Sequence, residues 1–446
     1  MTRSDTRGSA HAPATWRNGG GTVECVPSSV QRPTGVEEVA ALVARAADEG
    51  STVKAVGAGH SFSPVALAPG MQLDMSGMRG LVAVDAETRR VTLRAGTHLH
   101  ELHGLLADRG LAMTNLGDVD RQTISGATST GTHGTGGRFG GISTQITSAT
   151  LVSGTGEVIT VDAGDPDLGA VALGLGALGI VVELTLQCVP AFSIRAQEYP
   201  LDVDDAIDGF LDRVASQDHH EFYWFPHTRC TLAKSNTRLD GRVERSGAGS
   251  VRRYIDDELL SNGAFRVMCA MGARVPAVVP TLSQVSGRVL SARTFTDRSD
   301  KVFISSRTVR FREMEYALPL EAVPEALREV RTMIERTGYR VSFPIEVRAA
   351  AADDLMLSTA SGRASGYIAV HRYHGDDAAD SAAYFADVEA IMVAHGGRPH
   401  WGKMHIRDAE YLRSVYPRFD EFIAVRERFD PHRVFANPYL ERVLGG

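Results

Sequence analysis

The chain has 446 residues, of which 43% are hydrophobic and 23% are charged. This composition is typical of globular proteins, and the length indicates two or three domains. The formal net charge is −7 and no basic arm dominates, so we do not expect nucleic acid as a partner. The most apolar stretch, 168–182, is interrupted by four glycines, and we therefore expect no transmembrane segment.

Residues 1–21 are polar, basic and rich in Gly, Ser and Thr. Because they lack the hydrophobic run of a secretory signal, we interpret them as a flexible tail. The four cysteines are widely spaced and form no CxxC pair. Scattered thiols of this kind favour a reduced, cytoplasmic protein over a disulfide framework.

The first half of the chain predicts a mixed α+β domain over 22–192. Thr34 and Glu37 resemble a capping box that opens a helix ending at Gly50, and apolar residues recur on one face of that helix. A strand over 52–56, a second helix over 97–109 and a β-branched strand over 180–188 follow.

From residue 193 glycine becomes rarer, while aromatic residues and arginine increase. We predict a second domain over 193–396, with a polar loop over 241–249 and a segment 397–446 that returns to the first domain. Its predicted elements alternate between strands over 222–225, 307–316 and 367–373 and helices over 203–216, 322–338 and 381–395.

Two glycine-rich stretches, 56–63 and 125–136, are the most informative motifs. Glycine permits positive φ, and successive amides in such turns form concave sites for anions such as a diphosphate. Either stretch alone is compatible with an ordinary turn, but two in one domain favour a large dinucleotide ligand. Neither is a Rossmann fingerprint, and the GxGxxG match at 174–179 precedes a strand instead of opening a helix.

His60 lies inside the first glycine-rich stretch. It could cap a turn, or its neutral imidazole could bond covalently to a cofactor. The spacing of His98, His100 and His103 does not place three nitrogens on one helix face, so we expect no metal site there. His371 shares a strand face with Tyr373, and a structural role is as compatible with this placement as a pocket role.

Glu346 and Arg348 alternate with apolar residues in a predicted strand, so both project from one face. A surface ion pair would explain them. If that face lines a pocket, Arg348 supplies a permanent positive charge that the carboxylate orients. Lys403, close to Trp401, offers a second cation.

Jointly, these segments and the closing 429–438 resemble the sugar-1,4-lactone oxidases and dehydrogenases of the gulonolactone and arabinonolactone types. These belong with the alditol oxidases to the vanillyl-alcohol-oxidase flavoprotein superfamily. The similarity runs from about residue 16 to the end. It implies an α+β fold with an FAD-binding domain of two subdomains and a cap domain in which helices flank an antiparallel sheet.

The resemblance also implies residue roles. Glu346, Arg348 and Lys403 would be catalytic, His371 would contact substrate, no metal would bind, and His60 would link covalently to the flavin 8α carbon. The residues that would bind FAD are Gly57, Ala58, Gly59, His60, Ser61, Phe62, Gly117, Asp118, Ser125, Gly126, Ala127, Thr130, Gly131, Thr132, His133, Gly134, Gly179, Ile180, Val181 and His400.

The implied reaction is FAD-dependent oxidation of L-gulono- or D-arabinono-1,4-lactone at C2, with hydride transfer to flavin N5 and an ascorbate-type product. An alditol oxidase acting on the C1 hydroxyl of polyols is the nearest alternative. A flavin-binding protein without catalysis is another. The electron acceptor stays open between oxygen and a cytochrome c or dye-type acceptor.

Overall fold

A computed structural model describes residues 14–241, 262–288, 290–305 and 309–446. The first unit of the protein contains twelve strands within these ranges. They are β1 (Trp16–Arg17), β2 (Glu24–Cys25), β3 (Ser29–Gln31), β4 (Val53–Val56), β5 (Met71–Asp74), β6 (Leu81–Asp85), β7 (Arg90–Arg94), β8 (Leu111–Ala112), β9 (Ile146–Val152), β10 (Val158–Asp162), β11 (Ile180–Gln187) and β12 (Val189–Pro190).

Two sheets organise this unit. β3, β5 and β4 form a parallel sheet against which helix Val36–Asp48 packs through Val39 and Val43. The strands β10, β9, β11, β7 and β6 form an antiparallel sheet in that order. Three shorter helices complete the unit, at Leu99–Ala107, Ile124–Ser129 and Leu168–Val171.

The second unit is built on an eight-stranded sheet whose paired neighbours are antiparallel, in the order β16-β13-β15-β14-β18-β19-β17-β20. Its strands are β13 (Ser193–Asp202), β14 (His219–Trp224), β15 (Cys230–Leu239), β16 (Arg293–Arg298), β17 (Phe311–Pro319), β18 (Ile345–Ala350), β19 (Ser365–Tyr373) and β20 (Arg398–Pro399). The described helices of this unit are Val203–Asp208, Phe210–Ser216, Asn262–Arg274, Val279–Arg288, Ser299–Phe303, Val323–Thr337 and Ala378–Ala394.

The central strands of this sheet bury one face beneath helices and turn the other towards the first unit. Val347 and Ile368 pack with Leu327 and Val388 in a single apolar core. Because side chains alternate along a strand, the intervening residues point the opposite way. The polar face of the sheet thus closes over the first unit.

The last fifty residues leave the cap sheet at β20 and end on the first unit. Helices Ala409–Val415, Phe419–Phe429 and Pro438–Leu444 bury apolar side chains in the same core as β7 and β9. The Asp430 carboxylate accepts hydrogen bonds from the amides of Val434 (2.7 Å) and Phe435 (3.0 Å). This carboxylate fixes the turn that brings the chain back beside β4, where the Val53 amide donates to the Val434 carbonyl at 2.8 Å.

Four local predictions differ from the structure. The tail prediction is wrong for residues 16–21, because Trp16 pairs with Cys25 and the Asn18 side chain donates to the Ser61 carbonyl at 2.8 Å. Helix Val36–Asp48 has Gly35 as its N-cap and no side-chain cap hydrogen bond, so the predicted capping box does not form. The Thr34 amide and hydroxyl donate to Glu38 instead.

The predicted helix over 203–216 is two helices that meet at Gly209. The second glycine-rich stretch is a short helix followed by a turn, because the Thr123 hydroxyl accepts the Gly126 amide. The loop predicted over 241–249 lies almost wholly outside the described residues, and residues 307–308 of the predicted strand over 307–316 lie outside them as well.

Two sequence-based expectations concern cysteines and membrane spans. All four cysteines are free thiols. Within the described ranges, no helix combines the length and apolar character needed to cross a bilayer.

Candidate active site

The glycine-rich loops line a first cavity between the two sheets of the first unit. The loop after β4 contributes residues 57–61, the short helix contributes Ser125 and Gly126, and the start of β11 contributes Gly179, Ile180 and Val181. Gly59 has φ +67°, which favours glycine. A Cβ at Gly57 would meet Thr123 Oγ1 at 2.2 Å, so only glycine allows this close approach of loop and helix.

A second cavity of about 490 Å³ lies between the first unit and the polar face of the cap sheet. The two cavities share His60, Ser61, Gln122 and Thr130 in their walls. A ligand long enough to fill both would therefore pass His60.

The His60 ring is exposed at this junction. The cavity walls around the ring partly desolvate it, and this desolvation, followed by the positive charges of Lys403 and Arg121, lowers the pKa of His60 below its ordinary value. The imidazole is consequently neutral at physiological pH, the form that carries a nucleophilic lone pair.

Strand register determines which cap residues meet at the second cavity. Glu346 of β18 lies opposite Ala369 of β19, which in turn lies opposite Glu315 of β17. The small Ala369 side chain leaves room between the two carboxylates. One step along the sheet, Glu313 lies opposite His371.

Arg348 is buried in the wall of this cavity and is surrounded by carboxylates. Its guanidinium contacts Glu346, lies 3.1 Å from Glu221 Oε2 and lies 3.5 Å from Asp118 Oδ2. Burial alone would lower the pKa of Arg348, but Glu346, Asp118 and Glu221 together raise it well above its ordinary value. Arg348 therefore stays charged, and the three carboxylates fix the orientation of its planar guanidinium group.

Further polar groups support this cluster. Tyr223 Oη lies 2.8 Å from Glu346 Oε1, and Lys234 Nζ lies 3.3 Å from Glu221 Oε1. The sequence predicted a cationic pocket, whereas the structure shows cations and carboxylates in nearly matched numbers. The negative partners hold the cations in place and limit the net charge.

Lys403 approaches the same cavity from the loop after β20. Its Nζ contacts Glu313 Oε2 and lies 5.5 Å from the centre of the Phe62 ring. Phe62 itself packs against Phe311 of the cap, with ring centres 5.6 Å apart. The first glycine-rich loop and the cap are thus joined around Lys403.

His133, Glu315 and His400 are buried, and their potential ligand atoms lie within 4.8 Å of one another. His133 Nε2 lies 3.2 Å from Glu315 Oε1, and His400 Nδ1 accepts the Gly402 amide at 3.0 Å. These direct contacts account for the cluster, so we assign it no metal and the expected absence of one stays a prediction.

The structure brings most of the predicted site residues to one of the two cavities. Asp118, Thr132, His133, Glu346, Arg348, His400 and Lys403 line the second cavity. His371 does not line it and stands behind Glu313. Ala127 is buried in the apolar core, and Gly117, Gly131 and Gly134 are not in either wall.

Sequence analysis missed Glu221, Glu313 and Glu315. Glu313 and Glu315 alternate with Met314 and Tyr316, the same pattern that marked Glu346 and Arg348. Both residues lie in the predicted strand over 307–316, so alternation identifies them as well. Glu221 lies one residue before the predicted strand over 222–225, and only the pairing of β14 with β18 brings it to Arg348.

Comparison with known proteins agrees with this architecture. Residues 27–162 match the family model described as an FAD binding domain, and 184–443 match that of D-arabinono-1,4-lactone oxidase. A cholesterol oxidase from B. sterolicum has the same fold, with a TM-score of 0.83, 18% identity and 96% coverage of both chains.

Two relatives are similar over nearly the whole chain. An L-gulono-1,4-lactone dehydrogenase of Mycobacterium tuberculosis is 42% identical over 96% of this chain and 99% of its own. An L-gulonolactone oxidase of Bos taurus is 31% identical over 96% of this chain and 98% of its own.

The fold and the paired cavities define an FAD-dependent oxidoreductase with a cap domain, of the vanillyl-alcohol-oxidase type. Within that class, the chain belongs to the D-arabinono-1,4-lactone oxidase family. The predicted family and fold class are confirmed.

The residues of the first cavity fit FAD. Close packing that only glycine permits, at Gly57 and at Gly179, where a Cβ would meet the Val152 carbonyl at 2.6 Å, brings the loop backbone into the lining beside Ser61, Ser125 and Thr130. Such linings suit a diphosphate. Residues 57–61, Ser125 and Gly126 would hold the dinucleotide, and His60 stands where the lining passes to the second cavity.

Proposed function

We propose that the protein oxidises an aldono-1,4-lactone, L-gulono- or D-arabinono-1,4-lactone, at C2. The observation that carries this proposal is that Arg348 and Lys403, two cations from different elements, face one cavity that continues from the FAD-binding loops. Relatives named for oxidation or dehydrogenation of these lactones support the substrate class.

Bound FAD supplies the hydride acceptor. Removal of hydride from C2 also requires the C2 hydroxyl to release its proton, which solvent can accept, so negative charge develops on that oxygen. Arg348 cannot accept the proton because a guanidinium stays charged, but its N–H groups can hold the oxygen and stabilise the charge. Lys403 supplies a second donor. The 2-keto lactone formed would tautomerise to an ascorbate-type ene-diol.

The test is turnover of a panel of lactones and polyols by the purified holoenzyme. L-Gulono- or D-arabinono-1,4-lactone should be oxidised with a higher kcat/KM than xylitol or sorbitol. A preference for polyols would favour the alditol oxidase alternative. Failure of every substrate to bleach the flavin band would favour a flavin-binding protein without catalysis.

The electron acceptor and the compartment belong to the same proposal. We place the protein in the cytoplasm, as four free cysteines favour. Running the lactone assay first with oxygen and then anaerobically with cytochrome c or a dye would separate an oxidase from a dehydrogenase.

We also infer that His60 bonds covalently to the flavin 8α carbon. Its neutral ring at the junction of the cavities supports this assignment. Wild-type protein should give a fluorescent band on a denaturing gel and His60→Ala should give none, while retaining some FAD and oxidising substrate slowly. His100→Ala, which removes an exposed ring nearby, should leave the band unchanged. Equal fluorescence in His60→Ala would exclude the bond.

A further inference from the structure

We propose that Glu313 is a positioning residue that fixes Lys403 and His371 relative to the substrate cavity. This inference rests on the proposed function, since Lys403 is assigned there to the reacting hydroxyl. Glu313 itself belongs to the cavity wall, but we argue that it acts through its two neighbours.

The geometry of the Glu313 carboxylate divides it between two partners. One oxygen, Oε2, contacts Lys403 Nζ, and the other, Oε1, lies 3.4 Å from His371 Nε2. On the far side of the ring, His371 Nδ1 lies 3.1 Å from the Pro344 carbonyl. The His371 ring is thus held between Glu313 of β17 and the Pro344 carbonyl, which lies in the loop that leads into β18.

The backbone supports this arrangement. Glu313 and His371 are directly paired residues of adjacent antiparallel strands, and the Met404 amide donates to the Glu313 carbonyl at 3.0 Å. The main chain of Glu313 therefore holds the loop that carries Lys403, while the Glu313 side chain binds Lys403 itself. Phe311, two residues before Glu313, packs edge-on against the His371 ring at 5.2 Å.

Electrostatics favour an ionised Glu313. Burial alone would raise the pKa of Glu313, but Lys403 and His371 lower it to about 2. In the part of the chain that the structure describes, Glu313 is the one carboxylate that forms an ion pair with Lys403, whereas Arg348 has three such neighbours. Loss of Glu313 would therefore free the long Lys403 side chain, while Arg348 would stay fixed.

The first experiment measures kinetics of the holoenzyme with its best lactone substrate. Glu313→Gln should lower kcat roughly 10- to 100-fold and change KM less than about threefold, because Lys403 is misplaced more in the transition state than in binding. Glu313→Asp should recover part of kcat. Glu389→Gln removes an equally buried cap carboxylate that contacts Tyr316 and Arg407 instead, and should leave kcat near wild type.

The second experiment needs no substrate. Trace acetylation of the holoenzyme followed by mass spectrometry compares Lys403 with the exposed Lys301 in the same molecule. An amine released from an ion pair moves more freely on its long stem and meets the reagent more often, so Glu313→Gln should raise the Lys403 to Lys301 labelling ratio at least about threefold. Glu389→Gln should not change it.

An unchanged labelling ratio in Glu313→Gln would overturn the inference, as would a kcat equal to that of Glu389→Gln. If no lactone or polyol is oxidised by wild type, the proposed function fails, and the labelling ratio still decides whether Glu313 fixes Lys403. The two failures are therefore distinguishable.

Discussion

Replacing Arg348 by methionine is expected to lower kcat/KM for the lactone at least about 100-fold, because the substrate oxygen loses a fixed positive donor. It should also reduce the free energy of unfolding by roughly 3–5 kcal/mol, the usual effect of removing one partner from a buried ion cluster. The second effect arises because Glu346, Glu221 and Asp118 would then face one another without their shared cation.

Two conservative variants separate these effects. Arg348→Lys keeps the charge but not the planar fork, so it should recover much of the stability and little of the activity. Arg372→Lys changes a buried arginine of β19 that pairs with Asp376 and Asp380, and β19 alternation places it on the opposite side from His371. It should lower stability but leave kcat/KM within a few-fold of wild type.

Equal activity losses in Arg348→Lys and Arg372→Lys would show that Arg348 acts only through the fold. Urea unfolding and steady-state kinetics give the two readouts.

The local part of this site was predictable from sequence because strand alternation is a local property. The pattern of Glu346 and Arg348 between Ile345 and Val347 placed both side chains on one face, and the structure has the apolar pair in the helix-covered core. The same rule would have identified Glu313 and Glu315. The alternation of the strand carries this information, whereas the charge of each residue taken singly does not.

The long-range part was not predictable in the same way. Glu221, Asp118 and Arg348 meet because β14 pairs with β18 and because the cap closes over the loop that carries Asp118. No propensity or spacing specifies that register. The overall fold could be predicted chiefly through the family resemblance. From residue 193 onwards the sequence predicts short strands and helices but does not indicate which strands are neighbours in the sheet.

Glycine explains two of the local errors in the fold. Gly35 follows Thr34 and has an extended backbone, so the helix starts one residue later than the capping motif at Thr34 predicts. Gly209 lies within an otherwise helical pattern and divides it, with its Cβ position next to the Arg213 guanidinium. Glycine lowers helix stability by about 1 kcal/mol relative to alanine, which local packing can turn into a break.

Acid should unfold this protein between about pH 6.5 and pH 4, because several histidines are buried in the neutral form. Burial lowers the pKa of His103, His219, His220 and His400 to about 4 and that of His405 to about 3. As the pH falls below 6.5, the unfolded chain binds protons that the folded chain does not, so stability decreases until the folded pKa values are reached.

The size of the effect follows from the shifts. Shifts from 6.5 to about 4 or about 3 correspond to roughly 3–5 kcal/mol for each histidine. The five together reach the order of 10–20 kcal/mol, which is at least comparable to the total stability of a typical domain at about 5–15 kcal/mol. Glu313, with a pKa of about 2, contributes in the same direction only at lower pH, since a carboxylate with a lowered pKa loses its stabilising charge as it is protonated.

Urea unfolding followed by circular dichroism at intervals from pH 8 to pH 4.5 would measure this dependence. His220→Gln can keep a hydrogen bond to Ser235, which lies 3.1 Å from His220 Nδ1, and should make the slope of stability against pH shallower by up to one proton. His374→Gln changes an exposed histidine and should leave the slope unaltered. A stability that stays constant from pH 6.5 to pH 4.5 would mean that these rings are already protonated in the folded protein, and the interior would then have to contain counter-charges for them. The buried carboxylate of Glu315 already contacts His133, and that of Glu313 already contacts His371 and Lys403. We therefore expect the free energy of unfolding to decrease as the pH falls.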